Sequence, residues 1–369
     1  RASSPLALVI CPTRELAMQA HRTLKLISYY AKCRVRLVHG GSMTWKKQRQ
    51  EISQIVDILV CTPDRLLKFY ESKDIKLGEI AHIAIDEADF LLTQGFEDLY
   101  KILDIVGQES RYKSRLRYFL ITASITKPLW RIFQEDRRFR TLKVLESKSL
   151  HKPQANCSHT MVLTKGRCKV RMLIQIVQRD LSEESLRRGL TPRQTLVFCN
   201  TLSAAKSISY QLKEKFSHVQ EKVGVLHKDM LTAERQDVLK KFAAAETNVL
   251  VCTDIAQRGI DLPNCQHVVN FDFPLNSIDY LHRAGRTARY GEPGKVTSLV
   301  KKGDKALAKG IERSVQLGKP INELSADKRD YLRGGALGEL MERHPRAAKT
   351  MTREERGLAP TAPYAGGLR

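Results

Sequence analysis

The stretch LVICPT at residues 8–13 returns 188 positions later as LVFCNT at residues 196–201, each time an apolar run closing on Cys-x-Thr. His39, after RLV, returns as His227, after GVL, at the same offset, and Val60-Cys61-Thr62 returns as Val251-Cys252-Thr253 at an offset of 191. Three matches in one order at nearly one spacing imply two copies of one unit, and a period of domain size means a tandem pair and not a solenoid. The kind of unit follows from the apolar runs. LALVIC, VRLVHGG, DILVCT, HIAID and YFLITAS in the first copy, and TLVFCN, VGVLH, NVLVCT, HVVNFD and VTSLV in the second, are short, rich in Val, Ile and Leu, and separated by segments of helical period. Such runs are strands buried on both faces, the pattern of parallel sheets covered by helices. The reading predicts an α/β fold of two tandem domains, the first over 1–145 and the second over 160–318, with a linker at 146–159 where periodicity lapses. Beyond it an extended basic tail, 319–369, is too rich in Pro, Gly and Arg to bury a core and is expected to be held by a partner.

Composition narrows the partners. Sixty-three Lys and Arg stand against 40 Asp and Glu, a formal charge of +23, spread as +9 over 1–150, +11 over 151–318 and +3 beyond. Solubility alone seldom needs so one-sided an imbalance, so a polyanion, most often nucleic acid, is the expected partner. The eight cysteines form no CxxC pair, and Cys11, Cys61, Cys199 and Cys252 lie in or at the end of apolar runs. Reduced, buried cysteines of an intracellular protein are expected, with no disulfide framework or zinc site. No run approaches the length of a membrane span, and the first ten residues hold too short an apolar core for a signal peptide. The chain opens at Arg1 almost directly on a strand, so we expect a further segment upstream, of which a transit peptide is one form.

Chemistry concentrates in two places. HIAIDEADFLLTQGF at 82–96 ends an apolar strand on Asp86, Glu87 and Asp89. In open α/β sheets ligands bind beyond the carboxyl ends of the strands, and oxygen ligands there suit Mg²⁺ bound through one or two carboxylates plus substrate phosphates. Asp86 is placed to hold the metal through water and Glu87 to orient a water attacking a terminal phosphate. An isolated pair of acids would equally fit a helix N-terminus. The second place is SIDYLHRAGRTARYG at 277–291, where the spacing predicts His282, Arg286 and Arg289 on one helical face with Arg283 beside them. Guanidinium groups there would stabilise charge on a transferring phosphoryl group; helix capping by basic residues is the plainer alternative.

With DEAD at 86–89, PTRELA at 12–17, GG at 40–41, TPDRL at 62–66, TAS at 122–124, LVFCNT at 196–201, TDIAQRGID at 253–261 and HRAGRTAR at 282–289, the chain resembles the DEAD-box ATP-dependent RNA helicases from residue 6 to about residue 300. The resemblance implies two RecA-like domains that close over ATP and one strand of RNA, bending it so that a short duplex opens. It implies Asp86 and Glu87 for magnesium and water, Arg286 and Arg289 as arginine fingers, and Gly259 and Asp261 near the nucleotide. Asp89, Thr122, Ser124 and His282 would couple the ATP site to RNA. Pro12, Thr13, Arg14, Gly40, Gly41, Thr62 and Arg65 would touch RNA backbone from the first domain, and Asn200, Arg235, Thr253 and Arg258 from the second. Small residues, hydroxyls and arginines suit a grip that does not read base edges.

The departures carry expectations too. No GxxxxGK[ST] occurs; the resemblance places that phosphate cradle and the adenine-reading segment ahead of Leu6, and the 369 residues alone are expected to bind ATP poorly. TAS stands for the family's SAT with both hydroxyls kept. TPDR stands for TPGR, so Asp64 sets a negative charge close to a phosphate path. Ala288 and Lys228 stand where the family has Gly. The leading reading is an RNA-dependent ATPase that remodels structured RNA, with ribosomal RNA during subunit assembly as target and the mitochondrion ahead of nucleolus or cytoplasm as location. The alternative is a catalytically idle RNA clamp serving ribonucleoprotein assembly.

Overall fold

The structure, a computed structural model, describes residues 2–41, 44–147, 149–181, 193–216, 222–254, 262, 265–289 and 291–321. The expected tail at 319–369 lies outside them from residue 322 onward. The chain divides into two compact units, the first formed mainly by residues up to Glu146 and the second mainly by residues from Ser147 on, each with its own sheet.

The first sheet takes its strands from the run β1 (Ala7–Ile10), α1 (Arg14–Ala31), β2 (Val35–Val38), α2 (Trp45–Ile52), β3 (Ile58–Cys61), α3 (Pro63–Glu71), β4 (His82–Ile85), α4 (Ala88–Thr93), α5 (Glu97–Glu109), β5 (Arg117–Leu120) and α6 (Lys127–Glu135). Its order is β2-β3-β1-β4-β5, every pair parallel. Alternate residues feed opposite faces: Leu8, Ile10, Ile83 and Ile85 pack with Phe69, Leu99 and Leu103, while Val35, Leu37 and Val60 join Ala17 of α1 on the other side. Each such side chain removed from water contributes about 1.5–3 kcal/mol, which is why the apolar runs sit as strands between two layers.

The second sheet draws on β6 (Cys157–Leu163), α7 (Lys169–Asp180), β7 (Gln194–Phe198), α8 (Leu202–Lys215), β8 (Val223–Leu226), α9 (Thr232–Ala243), β9 (Val249–Cys252), β10 (Cys265–Asn270), α10 (Ser277–Ala284), β11 (Gly294–Val300) and α11 (Lys305–Gln316). Its order is β6-β11-β10-β7-β9-β8, again all parallel. Strand for strand, β7 to β11 repeat the arrangement of β1 to β5.

The repeat reaches single hydrogen bonds. Cys11 N donates to the Cys61 carbonyl at 2.9 Å, and Cys199 N to the Cys252 carbonyl at 2.8 Å. Thr13 Oγ1 accepts from Leu16 N at 3.2 Å, capping α1, and Thr201 Oγ1 accepts from Ala204 N at 3.1 Å, capping α8. Thr62 N and Thr253 N each donate to the carbonyl ending the neighbouring strand, Val38 and Leu226, at 3.3 Å. The duplicated Cys-x-Thr is thus the turn from strand to helix, with the hydroxyl filling one of the donors a helix start leaves open.

One strand departs from the sequence reading. β6 begins at Cys157, inside the stretch 146–159 expected to be linker. It has no counterpart in the first sheet among the described residues. Its sequence CSHTMVL mixes polar and apolar residues because it is the edge strand, half exposed along its length. Behind it, a buried polar cluster ties α7 to the sheet: Asp180 Oδ2 accepts from Thr195 Oγ1 at 2.9 Å and lies 2.6 Å from His267 Nδ1, whose Nε2 lies 2.8 Å from Thr297 Oγ1.

β11 starts at Gly294 because nothing larger fits. A Cβ there would lie 2.6 Å from Ala288 N and 2.7 Å from Ala288 Cβ, inside any normal contact. Gly294→Ala should therefore destabilise the second unit by about 1–3 kcal/mol, as overpacking does. Calorimetry reads it as a lower Tm, whereas Gly303→Ala, with open space around it, leaves Tm near the parent value.

Candidate active site

In a parallel sheet every strand ends at the same edge, so loops far apart in sequence become neighbours there. In the first unit this gathers Pro12, Thr13 and Arg14 after β1, Gly40 and Gly41 after β2, Thr62 and Arg65 after β3, Asp86, Glu87 and Asp89 after β4, and Thr122 and Ser124 after β5. All of the first-domain residues singled out in the sequence thus belong to one edge.

The acidic end of β4 is a sharp corner. Asp86 N still donates to the Ile10 carbonyl at 3.0 Å, as a strand residue would, and its Oδ1 accepts from Glu87 N at 3.0 Å. Glu87 then takes the left-handed conformation at φ 50°, which disfavours a residue with a Cβ by roughly 1–2 kcal/mol. The turn starts α4 at once, with Ala88 N tied to the Ile121 carbonyl at 2.9 Å. Asp89, 3% exposed, points back: Ser124 Oγ donates to its Oδ2 at 2.6 Å. Thr122 Oγ1 donates to the Ser124 carbonyl at 2.7 Å and accepts from Ser124 N at 3.2 Å. Three of the four residues expected to couple the ATP site to RNA are therefore one bonded network that ties the β5 loop to α4.

Burial holds the Asp86 carboxyl above the usual carboxylate range, and the neighbouring charges of Glu87 and Asp89 push the same way. A partly desolvated carboxylate with further carboxylates beside it fits a cation. Among the described residues no cluster of three or more His, Cys, Asp and Glu could cage a metal alone. The pair therefore fits Mg²⁺ held through one or two carboxylates and completed by water and phosphate.

The nearby helix start at α3 is arranged for an anion and opposed by one. Thr62 Oγ1 is buried with no hydrogen-bond partner among the described residues, at a helix N-terminus whose first residue is Pro63. Arg65 is steadied over the Trp45 ring at 5.3 Å, itself stacked on Phe69 at 4.0 Å. Yet the exposed Asp64 brings Oδ2 to 3.6 Å from where a Cβ of Gly40 would stand. Gly41 beside it needs its freedom, at φ 115°.

In the second unit the strand ends carry Asn200, Thr253 and Asp254, with His282 and Arg283 on α10. The expected helical face does not form. α10 stops at Ala284 with Gly285 as its cap, so Arg286 and Arg289 lie on the following turns, where Arg286 Nε donates to the His282 carbonyl at 3.3 Å and Arg289 Nε to the Gly285 carbonyl at 2.8 Å. Glycine and the positive φ of Ala288, 57°, end the helical period that the arginine spacing suggested. His282 is buried on α10, and Arg235 belongs to α9. Arg258, Gly259 and Asp261 lie outside the described residues.

Arg283, which the sequence reading set beside the other arginines with no role of its own, is fully buried. Its Nε and Nη2 donate to Asp254 Oδ1 at 3.1 and 2.6 Å, Nη1 to the Asp272 carbonyl at 2.8 Å, and Nη2 also to Asn200 Oδ1 at 2.8 Å. Its guanidinium also lies 5.0 Å from the centroid of the Phe198 ring. Asn200 is thereby committed, since its Nδ2 donates to the Phe273 carbonyl at 3.1 Å and its N to Asp272 Oδ2 at 3.2 Å. Its side chain positions the loop instead of reaching outward as expected. The signal in the sequence was Asp272, at the same strand end in the second copy as Asp86 in the first; Lys169 Nζ bonds its Oδ1 at 2.7 Å.

The raised Asp86 fixes a sign. A carboxyl held above its unfolded value opposes folding at neutral pH, and that penalty fades as pH falls through the raised value toward the ordinary one. Asp86→Asn, which keeps the acceptor for Glu87 N, should raise Tm at pH 7 with a gain that narrows toward pH 3. A gain independent of pH would contradict this.

Comparison with known proteins agrees with this geometry. The DEAD/DEAH box helicase profile matches residues 1–132 and the helicase conserved C-terminal domain matches residues 168–291. DEAD-box ATP-dependent RNA helicase 39 of Arabidopsis thaliana is 38% identical over 339 residues, 89% of this chain and 52% of the relative. DEAD-box ATP-dependent RNA helicase 52A of Oryza sativa subsp. japonica is 32% identical over 313 residues, 84% of this chain and 50% of its own. The chain thus spans about half the length of these curated relatives. Among solved structures, S. cerevisiae Dbp5 bound to RNA and ADP BeF3 superposes with a TM-score of 0.69 at 24% identity, over 86% of this chain and 75% of that one. Twin RecA-like sheets, the acidic corner after β4 and two ordered profile matches lead to one conclusion: the chain belongs to the DEAD-box helicase family.

Proposed function

We propose that the protein is an RNA-dependent ATPase that remodels structured RNA by gripping its backbone without reading sequence. The observation that carries this is the acidic corner, where Asp86 and Glu87 end β4 on the same sheet edge as the hydroxyls and glycines after β1, β2 and β3. The relatives' printed descriptions as ATP-dependent RNA helicases support it. In this reading Asp86 would hold Mg²⁺ through water, Glu87 would orient the attacking water, and Arg286 and Arg289 would meet charge on the transferring phosphoryl group. Gly259 and Asp261 would lie near the nucleotide. Asp89, Thr122, Ser124 and His282 would link nucleotide state to RNA grip, and Thr13, Arg14, Gly40, Gly41, Thr62, Arg65, Arg235, Thr253 and Arg258 would follow the phosphates. No GxxxxGK[ST] occurs in the 369 residues, so hydrolysis is proposed for the complete protein and not for this chain alone.

For the target we propose ribosomal RNA within an assembling particle, supported by the positive charge of both units and the Pro- and Arg-rich stretch after residue 318, with the mitochondrion as compartment. Among the described residues no helix is long and apolar enough to cross a membrane. Crosslinking followed by sequencing of the bound RNA tests the target, and recovery of messenger RNA alone would overturn it.

Catalysis is tested on the complete protein. Glu87→Gln should abolish RNA-stimulated ATP hydrolysis. Arg286→Ala should lower turnover by about 10³–10⁵, the range reported for such a group, while RNA affinity changes little. A parent enzyme with no RNA-stimulated hydrolysis would favour the idle clamp. Asp64→Gly, which removes a carboxylate from the proposed phosphate path, should tighten RNA binding in low salt and less so in high salt; unchanged affinity would take RNA away from α3.

A further inference from the structure

A cavity of about 460 Å³ opens on the second unit between α7 and the sheet margin formed by β6 and β11. Four cations line it: Arg167 from the turn ahead of α7, Arg179 from the last turn of α7, Arg193 just before β7, and Lys295 near the start of β11. They come from four separate stretches, so the fold gathers them and no charged run in the sequence announces the place. Among the described residues no carboxylate pairs with Arg167, Arg193 or Lys295. The one acid in the lining, Asp180, already receives Thr195 and faces His267. Arg167 toward one end of the cavity and Arg193 and Lys295 toward the other set out a line of positive charge that an extended anion can follow.

The rest of the lining says which anion. Thr160 offers a hydroxyl, while Val162 and Met172 add apolar surface able to take the face of a ribose or base. Guanidinium forks match phosphate oxygens two at a time. The cavity also has a direction. Arg167 follows the carboxyl end of β6, the sheet edge that carries Asn200 and Thr253, whereas Arg193 and Lys295 lie at the opposite edge. β6 is seven residues long, so the two ends are about 20 Å apart, the reach of a few nucleotides.

We propose that this groove is a second RNA-binding track, holding the phosphate backbone of the strand that flanks the one gripped at the strand ends. The proposal rests on the RNA reading above. A flank tethered by the primary grip is presented at high local concentration, so a modest groove suffices to bind it.

The test uses the complete protein and two RNAs, a short single strand covering the strand-end grip alone and the same strand with a flank. Arg167 and Arg193 are both exposed, so Arg167→Glu with Arg193→Glu leaves the core intact. Lys206→Glu with Lys309→Glu removes the same charge from exposed helix positions outside the groove. The groove variant should bind the short RNA and hydrolyse ATP as the parent does, yet lose about tenfold in affinity for the flanked RNA. Its salt slope on the flanked RNA should fall by about 1.4, two phosphates at about 0.7 each for a single strand. The control variant should lose much less. Equal affinity of groove variant and parent for the flanked RNA overturns the track, as does an equal loss on both RNAs. Loss of binding to a poly-glutamate peptide with flanked-RNA affinity intact would assign the groove to an acidic protein instead. A parent protein that binds neither RNA would sink the RNA reading itself, a result distinct from failure of the groove alone.

Discussion

A guanidinium with no exposed surface sets the geometry of the second unit. Arg283 is a full positive charge in the interior, and a buried charge missing a partner destabilises by several kcal/mol. Its partners come from the ends of three strands: Asn200 beyond β7, Asp254 beyond β9 and Asp272 beyond β10. Moving any one of these three groups away would strand part of the charge, so one side chain on α10 ties three strand ends together. The turns that bear Arg286 and Arg289 leave directly from the same helix, which places them relative to a rigid platform although they are irregular themselves.

The first unit meets the same need with the opposite sign. Asp89, on the first turn of α4, is buried and receives Ser124 Oγ, and Ser124 in turn is cross-bonded to Thr122. A carboxylate at a helix N-terminus is favoured by the helix dipole, which lowers the cost of keeping it inside. Each unit thus ties strand ends together through a buried polar side chain, Asp89 in one and Arg283 in the other. Rigid support beneath irregular loops is what a site needs if its reactive groups are to hold position.

The architecture was legible because parallel strands buried on both faces write themselves as uninterrupted apolar runs, and because duplication printed them twice. β6 escaped notice since an edge strand alternates and so looks like a linker. The acidic corner was legible for its position at a strand end, but its left-handed Glu87 was not, since Glu gives no warning of φ 50°. Helical spacing misplaced Arg286 and Arg289 because periodicity was carried past Gly285, a residue that ends helices. Asn200 was expected to touch RNA because the family resemblance places a contact there. Only three dimensions reveal that its amide is bonded to Arg283 and to the loop beyond β10. Arg283 itself hid among other arginines, as sequence cannot tell a buried guanidinium from a solvated one.

The duplicated cysteines show how the two edges keep their charge patterns clean. Cys11 and Cys199 occupy matching places directly beneath the strand-end loops, and burial raises both thiols far from ionisation, Cys199 to about 12. The carboxylates of Asp86 and Glu87 act further on Cys11, and that of Asp272 on Cys199. A thiol that stays protonated is a small apolar filler, compatible with the tight turn and adding no charge of its own. Asp86 shows the reverse choice, a charge retained where the fold would be steadier without it. Neighbours in one strand-end layer thus differ in kind: the thiols stay neutral and fill space, while the Asp86 carboxyl keeps a charge whose burial opposes folding at neutral pH.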